Sequence, residues 1–147
     1  GYDRLVDLDH EFVGRDAIAA EMADPDRTLV TLEWDSDDAL DVVASLFAEG
    51  PSKRFVQFPV PWRSTSHHDR VLKDGAVVGT ARMGAYTYNE RAMLSLSTLD
   101  VDLATPGTEV TIVWGEPDGS PNPAVERHER TEIAATVAPA PYTADNR

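Results

Sequence analysis

The residues best suited to acid–base chemistry or metal binding lie at positions 67–69, where the sequence reads His67-His68-Asp69. Imidazole and carboxylate groups are ordinary zinc ligands, but adjacent side chains on an extended segment point to opposite faces. The two histidines cannot face one metal without a tight turn, so the sequence favours a solvent-exposed loop here. We interpret His128 as a surface strand residue, because it has a charged residue on each side.

Motifs for covalent catalysis and for nucleotide binding are missing from the sequence. The chain has no cysteine, which excludes a disulfide framework, a thiolate nucleophile and a cysteine-based zinc site. It contains no Gly-x-Ser-x-Gly elbow, phosphate loop or dinucleotide fingerprint. Because there are 26 acidic residues, their spacing cannot single out a catalytic pair. No reaction can be assigned from these residues alone.

The charge balance is strongly acidic: 13 Lys and Arg residues stand against 26 Asp and Glu residues, which gives a net charge of −13. Nucleic acids and anionic membranes both require a basic face, so neither is an expected partner. The simplest interpretation is a solvated acidic surface suited to high salt, and the alternative is an acidic patch that recruits a basic partner. No apolar run approaches the ~20 residues of a membrane span, and no signal peptide is recognisable. We therefore expect a cytoplasmic location.

Two short helices are predicted in the N-terminal third of the chain. Asp9 is a suitable N-cap for the first helix, over residues 10–22, which must end before Pro25. Acidic residues after Ser36 mark the start of the second helix, over residues 37–48. The abrupt start of the chain, at residues 1–3, indicates a fragment of a longer protein.

Most of the remaining sequence alternates between apolar and polar residues, or shows short apolar runs bounded by turn residues. These patterns predict strands at residues 28–34, 55–60, 71–72, 77–81, 93–99, 109–114 and 126–137. Strands separated by turn signals in this way indicate a closed or nearly closed antiparallel barrel, or a sandwich. We predict a mainly β (α+β) fold, an antiparallel Greek-key barrel of about six strands with the two helices outside it.

The stretch between residues 70 and 100 organises this fold. Asp74-Gly75 between two apolar runs predicts a tight hairpin, because a type I′ turn needs positive φ at both central residues. Gly79 and Gly84 interrupt the second strand, where glycine indicates a bulge, a bend or a close backbone approach. In the return strand, we expect three leucines to be buried: Leu94, Leu96 and Leu99.

Several segments, in order along nearly the whole chain, share the pattern of one protein family. Residues 7–18, DLDHEFVGRDAI, resemble its D-F-I-G-[KR]-x-A-L segment, and residues 27–32 resemble the basic residue and strand that follow. Residues 74–84, DGAVVGTARMG, resemble [DN]-G-x-x-[IV]-G-x-[IV]-T-S-G. Residues 106–110 and 139–142 resemble a later strand start and a P-F-Y ending. The chain thus resembles the C-terminal part of the aminomethyltransferase family, whose type member is the glycine-cleavage T-protein.

Two departures from that pattern indicate a branch of the family. Arg82-Met83 stand where the T-protein pattern has Thr-Ser, and a Pro-rich insert follows Val113. Together with residues 88–91, YNER, these features resemble the tetrahydrofolate-dependent O-demethylases that act on methoxylated aromatic acids such as vanillate. The resemblance implies O-demethylation of such an acid. Its alternatives are a glycine-cleavage aminomethyltransferase and a non-catalytic folate-binding or protein-interaction module.

The resemblance also implies how the work is divided within the protein. Residues 1–26 would be a helical linker from a missing central domain, and residues 27–147 the C-terminal barrel. In the family, tetrahydrofolate, the substrate and the catalytic acid lie mainly in the N-terminal two-thirds. We therefore expect this chain to be inactive alone, with its own N-terminal folate-binding domains and a small-molecule substrate as partners.

Arg27 is the one folate-binding candidate, because it matches the family's basic residue before a strand. A guanidinium suits the anionic glutamate tail of a folate. The alternative is an exposed arginine next to Asp26. No residue of the chain is nominated as catalytic or as a metal ligand.

Overall fold

The computed structural model describes residues 5–60, 67–117 and 119–143. The elements in chain order are α1 (Arg15–Ala23), β1 (Arg27–Trp34), α2 (Ser36–Ser45), β2 (Asp69–Lys73), β3 (Ala76–Thr87), β4 (Ala92–Asp100), β5 (Glu109–Trp114) and β6 (Thr131–Ala138). A single 3₁₀ turn, Val101–Leu103, follows β4. Neither helix of the described part is long and apolar enough to cross a membrane.

The strands form a closed antiparallel barrel in the order β1-β4-β3-β2-β5-β6, which β6 closes by pairing with β1. In this order β2, β3 and β4 are consecutive neighbours and β1 returns beside β4, which is a Greek-key arrangement. The predicted fold class and the placement of both helices before the second strand are confirmed. The predicted start of the chain, residues 1–3, lies outside the described residues.

The predicted hairpin is present between β2 and β3. β2 ends at Lys73, β3 begins at Ala76, and the two residues between them have φ values of 51° and 80°. Positive φ at both positions is the type I′ geometry, whose twist matches that of the flanking strands. The Asp74-Gly75 prediction is therefore confirmed.

The two glycines of β3 lie where another part of the chain approaches closely. A Cβ on Gly79 would lie 2.2 Å from the carbonyl oxygen of Thr98, and one on Gly84 would lie 2.9 Å from Cζ2 of Trp34. Gly84 also follows Met83, whose φ is 53°, in an irregularity of the pairing between β3 and β4. The close approaches and the bulge agree with the interpretation of these glycines.

The prediction for the buried face of β4 was wrong for two of its three leucines. Leu99 is fully buried, but Leu96 is 42% exposed and Leu94 is only half-buried. The inward residues are Met93, Ser95, Ser97 and Leu99. Strand side chains alternate with a period of two, so the burial of Leu99 places its even-numbered neighbours outside. The barrel interior accepts two serines in place of two leucines.

The helix boundaries differ from the predicted ones because the caps differ. α1 begins at Arg15 with Gly14 as its N-cap at φ 91°, five residues after the predicted cap Asp9. α2 begins one residue earlier than predicted because Asp35 is the cap, and its carboxylate accepts hydrogen bonds from two backbone N–H groups. α1 contributes no buried residue, whereas Val42 of α2 lies in the core.

The strand predicted at residues 55–60 is absent. The described part of this segment is irregular, and its one sheet-like contact is an isolated bridge between Lys53 and Glu129. Pro59 cannot donate a ladder hydrogen bond, which makes a strand here unfavourable. The segment instead crosses one end of the barrel, where the Pro59 carbonyl accepts a hydrogen bond from the Tyr86 N–H at 2.8 Å.

Candidate functional site

A cluster of ionisable side chains lies at the barrel end where β2 begins and β5 finishes. Its members, called here the ionic cluster, are Arg54, His67, Asp69, Glu116 and His128. The arginine and the two carboxylates are at most 9% exposed. A buried charge without a partner costs several kcal/mol, so these groups can remain charged only by pairing with one another.

Arg54 lies at the centre of the ionic cluster. Its Nη1 is 3.7 Å from Asp69 Oδ1, and its Nε is 3.6 Å from Glu116 Oε2. The guanidinium also lies over the Trp114 ring, 4.8 Å from the ring centroid. The indole N–H of Trp114 donates a 2.8 Å hydrogen bond to the Arg54 carbonyl oxygen. One tryptophan at the end of β5 thus holds both the backbone and the side chain of this arginine.

The two histidines contact Glu116 from different sides. His67 Nδ1 lies 3.5 Å from Glu116 Oε1 and remains partly exposed, whereas the His128 side chain is fully buried. His128 Nδ1 faces the carbonyl oxygen of Glu126 at 2.9 Å, and since a carbonyl only accepts, Nδ1 carries the proton. His128 Nε2 is then the acceptor for the backbone N–H of Glu116, at 3.1 Å.

The interpretation of a solvent-exposed loop fits His67 and His68, which lie outside any strand and are partly exposed and exposed. It was wrong for Asp69, and the surface-strand interpretation was wrong for His128. Asp69 is not in an exposed loop but is the first residue of β2 and is buried. His128 is neither on the surface nor in a strand. A signal for His128 was available, because charged residues on both sides of an extended position place the middle side chain on the opposite, inward face.

Burial and charge change the proton affinities of these groups in different directions. Burial raises the pKa of Asp69 to about 7, although Arg54 opposes this change. Burial also acts to raise the pKa of Glu116, but Arg54 and His67 outweigh it and leave that pKa below its ordinary value. Burial lowers the pKa of His67 against the opposing attraction of Glu116. The two carboxyl groups are therefore poised to hold protons over different pH ranges.

Among the residues that the structure describes, the cavity next to the ionic cluster is small. The cavity beside Arg54 and Trp114 measures about 20 Å³, which is close to the room that one water molecule needs. Among the described residues, no group of three or more potential ligands is arranged to hold a metal ion. Next to the cluster, two hydrogen bonds join the segment at residues 52–55 to the segment before β6: Phe55 N–H donates to Glu126 Oε1 at 2.6 Å, and Glu129 N–H donates to the Ser52 carbonyl at 2.8 Å.

An apolar groove of about 240 Å³ lies beside the ionic cluster. Its lining comprises Trp34, Ser36, Ala39, Leu40, Val43, Phe58, Tyr86, Arg91 and Met93. The Trp34 ring meets the Trp114 ring edge to face at 5.1 Å, so a tryptophan pair connects the groove with the cluster. Sequence reasoning did not find this groove, because its residues come from five separate segments.

Comparison with known proteins identifies relatives over the whole barrel. The syringate O-demethylase of Sphingobium sp. (strain NBRC 103272 / SYK-6) is 42% identical over 145 residues, or 98% of the chain. The sesamin methylene transferase of Sinomonas sp. (strain No.22) is 33% identical over 97% of the chain. An aminomethyltransferase of Synechococcus sp. (strain CC9311) is 35% identical over 65 residues, or 44% of the chain. The chain belongs to the aminomethyltransferase family.

This barrel of the aminomethyltransferase family matches only part of each relative. The chain spans 31% of the length of the syringate O-demethylase and 32% of that of the sesamin methylene transferase. No protein-family model matches the chain.

Arg27, the folate-binding candidate that the family pattern marked, lies far from the ionic cluster. Three antiparallel pairings separate β1 from β2 around the barrel: β1 with β4, β4 with β3, and β3 with β2. The two strands therefore run in opposite directions, and the start of β1 lies at the other end of the barrel from the start of β2. The Arg27 side chain is half-exposed, and its Nε donates to Asp100 Oδ1 at 3.1 Å. Contact of Arg27 with folate stays a prediction.

Proposed function

We propose that the chain is a domain of a tetrahydrofolate-dependent one-carbon transferase that removes a methyl group from a methoxylated aromatic acid. The observation that carries this proposal is the 42% identity to a syringate O-demethylase over 98% of the chain. The names of the three relatives denote handling of a methyl, a methylene or an aminomethyl group. One-carbon transfer is the chemistry common to all three.

In this proposal the barrel supports the reaction and does not carry it out. Tetrahydrofolate is bound mainly by other domains of the complete protein, with Arg27 as a contact for its anionic tail. The cavity beside Arg54 and Trp114 has room for about one water molecule, so in this proposal the ionic cluster serves to hold residues 52–58 and the segment after β5 against the barrel. The chain by itself is inactive in this proposal.

The second candidate is a glycine-cleavage aminomethyltransferase. A match of 35% identity to an aminomethyltransferase favours it, but that match covers 44% of the chain. Arg82-Met83 replace the Thr-Ser of the glycine-cleavage pattern, and Met83 occupies the bulge of β3. The demethylase is therefore the better-supported assignment.

The test is turnover by the complete gene product with tetrahydrofolate and, in parallel, syringate, vanillate or sarcosine. Demethylation moves a methyl group from the aryl ether oxygen to the folate, and the oxygen gains a proton. We expect equimolar methyl-tetrahydrofolate and phenolic product, measured by mass spectrometry, with syringate or vanillate. Turnover of sarcosine alone would favour the aminomethyltransferase, and folate binding without any turnover would favour a non-catalytic module.

A further inference from the structure

Residues 52–58 lie against the barrel without the hydrogen-bond ladder of a strand. Among the described residues, their one sheet-like contact is the isolated bridge between Lys53 and Glu129. Two backbone hydrogen bonds add to it, from Glu129 N–H to the Ser52 carbonyl at 2.8 Å and from Phe55 N–H to Glu126 Oε1 at 2.6 Å. A segment with so few backbone hydrogen bonds can open locally while the rest of a fold stays closed.

Arg54 anchors this segment in the ionic cluster. Its side chain is 5% exposed and lies over the Trp114 ring, and its carbonyl oxygen accepts a hydrogen bond from the same indole. Two residues later Val56 belongs to the core, and at the end of the segment Phe58 lines the apolar groove. A change in the pairing of Arg54 therefore changes how firmly the segment and the Phe58 side of the groove are held.

The charged and titratable groups that face the buried Asp69 carboxyl come from three segments. Arg54 Nη1 lies 3.7 Å from Asp69 Oδ1, and His67 Nε2, just before β2, lies 4.0 Å from it. Glu116, which follows β5, contacts the same guanidinium at 3.6 Å, and its charge acts to raise the pKa of Asp69. β3 pairs with β2 at this position through Ala81, which carries no charge. Two buried carboxyl groups thus share one arginine.

Neither histidine of the ionic cluster supplies a second positive charge near neutral pH. Burial lowers the pKa of His67 from its ordinary value of 6.5, so this ring is neutral at pH 7. His128 carries its proton on Nδ1, opposite the Glu126 carbonyl, and its Nε2 accepts the backbone N–H of Glu116, so it is neutral in this arrangement. One further proton is therefore needed to balance the charge of the cluster.

Asp69 is the group that retains this proton. Burial raises the pKa of Asp69 to about 7, whereas the pKa of Glu116 is lowered because Arg54 and His67 outweigh its burial. With a protonated Asp69, the cluster holds one positive and one negative charge. Without that proton one buried negative charge is left over, and a buried charge without a partner is costly.

We propose that the ionic cluster is a pH-dependent clasp: a proton on Asp69 keeps residues 52–58 closed against the barrel, and loss of this proton lets the segment open while the six strands stay paired. In the open state water solvates the carboxyl and the guanidinium of Arg54, so each carries its charge without the other. The inference rests on the holding role that the proposed function gives to the ionic cluster, and not on the transfer reaction.

The direction of the pH effect follows from the protons that each state binds. In the open state the pKa of Asp69 returns towards its ordinary value of 3.8, and in the closed state it is about 7. Between these values the closed state binds the extra proton, so rising pH weakens the clasp until Asp69 has ionised. His67 and Glu116 have lowered pKa values and act in the opposite sense on acidification. Comparison with Asp69→Asn isolates the contribution of Asp69.

The test is hydrogen exchange of the complete protein at pH 6 and pH 7.5, read by mass spectrometry as protection relative to an unstructured chain at the same pH. Between these pH values, peptides that contain Phe55 or Glu129 should lose about tenfold more protection in the parent than in Asp69→Asn. Asp16→Asn, whose side chain is 99% exposed, should behave as the parent does. Peptides that contain Val137, in β6, should keep their protection because the barrel stays closed.

Glu116→Gln is a second variant that decides the question even where Asp69→Asn does not fold. It leaves one carboxyl group to the Arg54 guanidinium and removes a charge that raises the pKa of Asp69. Asp69 should then ionise at lower pH in the closed state. The loss of protection between pH 6 and pH 7.5 should therefore be smaller than in the parent.

Three results would overturn the clasp. Equal losses in the parent and in Asp69→Asn, or in the parent and in Glu116→Gln, would place the titrating proton elsewhere, for example between His128 and Glu116. Equal losses in the Val137 peptides would show that the whole barrel loosens. Protection that does not change with pH would show that the segment is held without the proton. Exchange is measured whether or not the protein demethylates an aromatic acid, so failure of the transfer reaction leaves these outcomes distinct.

Discussion

The indole Nε1 of Trp34 donates a hydrogen bond to the hydroxyl of Ser95 at 2.7 Å inside the barrel. Both residues are nearly inaccessible, and the same indole ring packs against Trp114 and forms the base of the apolar groove. One serine on β4 therefore orients the ring that lies between the ionic cluster and the groove. A leucine at this position would fill space but would leave the indole N–H without its acceptor.

Ser95 and Ser97 lie on the same face of the same strand and form a matched pair of substitutions. Ser95→Ala should lower the free energy of unfolding by about 1–3 kcal/mol, because the buried indole donor loses its acceptor. Ser97 Oγ is buried and has no hydrogen-bond partner among the described residues, so Ser97→Ala should be neutral or stabilising by up to about 1 kcal/mol. Urea denaturation of both variants checks this difference. Equal destabilisation by the two substitutions would show that lost packing, and not the lost hydrogen bond, causes the decrease in the free energy of unfolding.

Asp69→Asn should reveal the raised pKa of the buried carboxyl. The unfolded chain loses this proton near the ordinary value of 3.8 and the folded chain near 7, so the folded state loses stability as the pH rises between these values. The loss is on the order of a few kcal/mol. Asparagine cannot ionise, so the stability of Asp69→Asn should improve relative to the parent chain from pH 4 to pH 7.

The comparison with the parent chain is necessary because neighbouring groups titrate in the opposite sense. His67 and Glu116 both have lowered pKa values in the fold, so each contributes stability that is lost on acidification. Thermal unfolding at several pH values measures the difference, and Asp16→Asn, whose side chain is 99% exposed, serves as control. If the difference in stability between Asp69→Asn and the parent chain does not change with pH, the raised pKa of Asp69 is contradicted.

Gly75→Val should destabilise the hairpin between β2 and β3. Gly75 has φ 80° and no atom lies within 4 Å of an added Cβ, so the cost comes from the backbone conformation and not from a clash. A β-branched residue at positive φ costs on the order of 1–2 kcal/mol. Ala76→Val, one residue later and inside β3, should have little effect. An unchanged melting temperature for Gly75→Val would show that the turn tolerates a side chain.

Tetrahydrofolate should bind this chain weakly or not at all, whereas the complete protein should bind it well. The expectation follows from the proposed division of work, in which other domains hold the folate and Arg27 contributes one contact. Calorimetric titration of residues 1–147 and of the complete protein tests it, with Arg27→Gln as the variant. Micromolar binding by the chain alone would place the folate site within the barrel.

Local sequence was sufficient where neighbouring residues determine the conformation. The Asp74-Gly75 turn depends on the φ preferences of two residues, and the strands at residues 28–34 and 109–114 depend on alternation within each strand. These predictions succeeded. The predictions for Leu94 and Leu96 failed because they followed apolar character and not strand alternation, which places both residues on the face opposite Leu99. The predicted start of α1 failed because it rested on one capping residue, Asp9, whereas the helix begins after Gly14.

The sequence by itself determined the class of fold, the family and the hairpin, since periodicity, turn residues and ordered motifs are all properties of local or aligned sequence. Only the tertiary structure decided that Arg54, Asp69, Glu116 and His128 meet at one end of the barrel. These residues are up to 74 positions apart, from Arg54 to His128, and no local preference encodes their contact. The closure of the barrel brings them together, and burial then raises the pKa of Asp69. In the sequence alone, Asp69 is one of 26 acidic residues and nothing distinguishes it from the others.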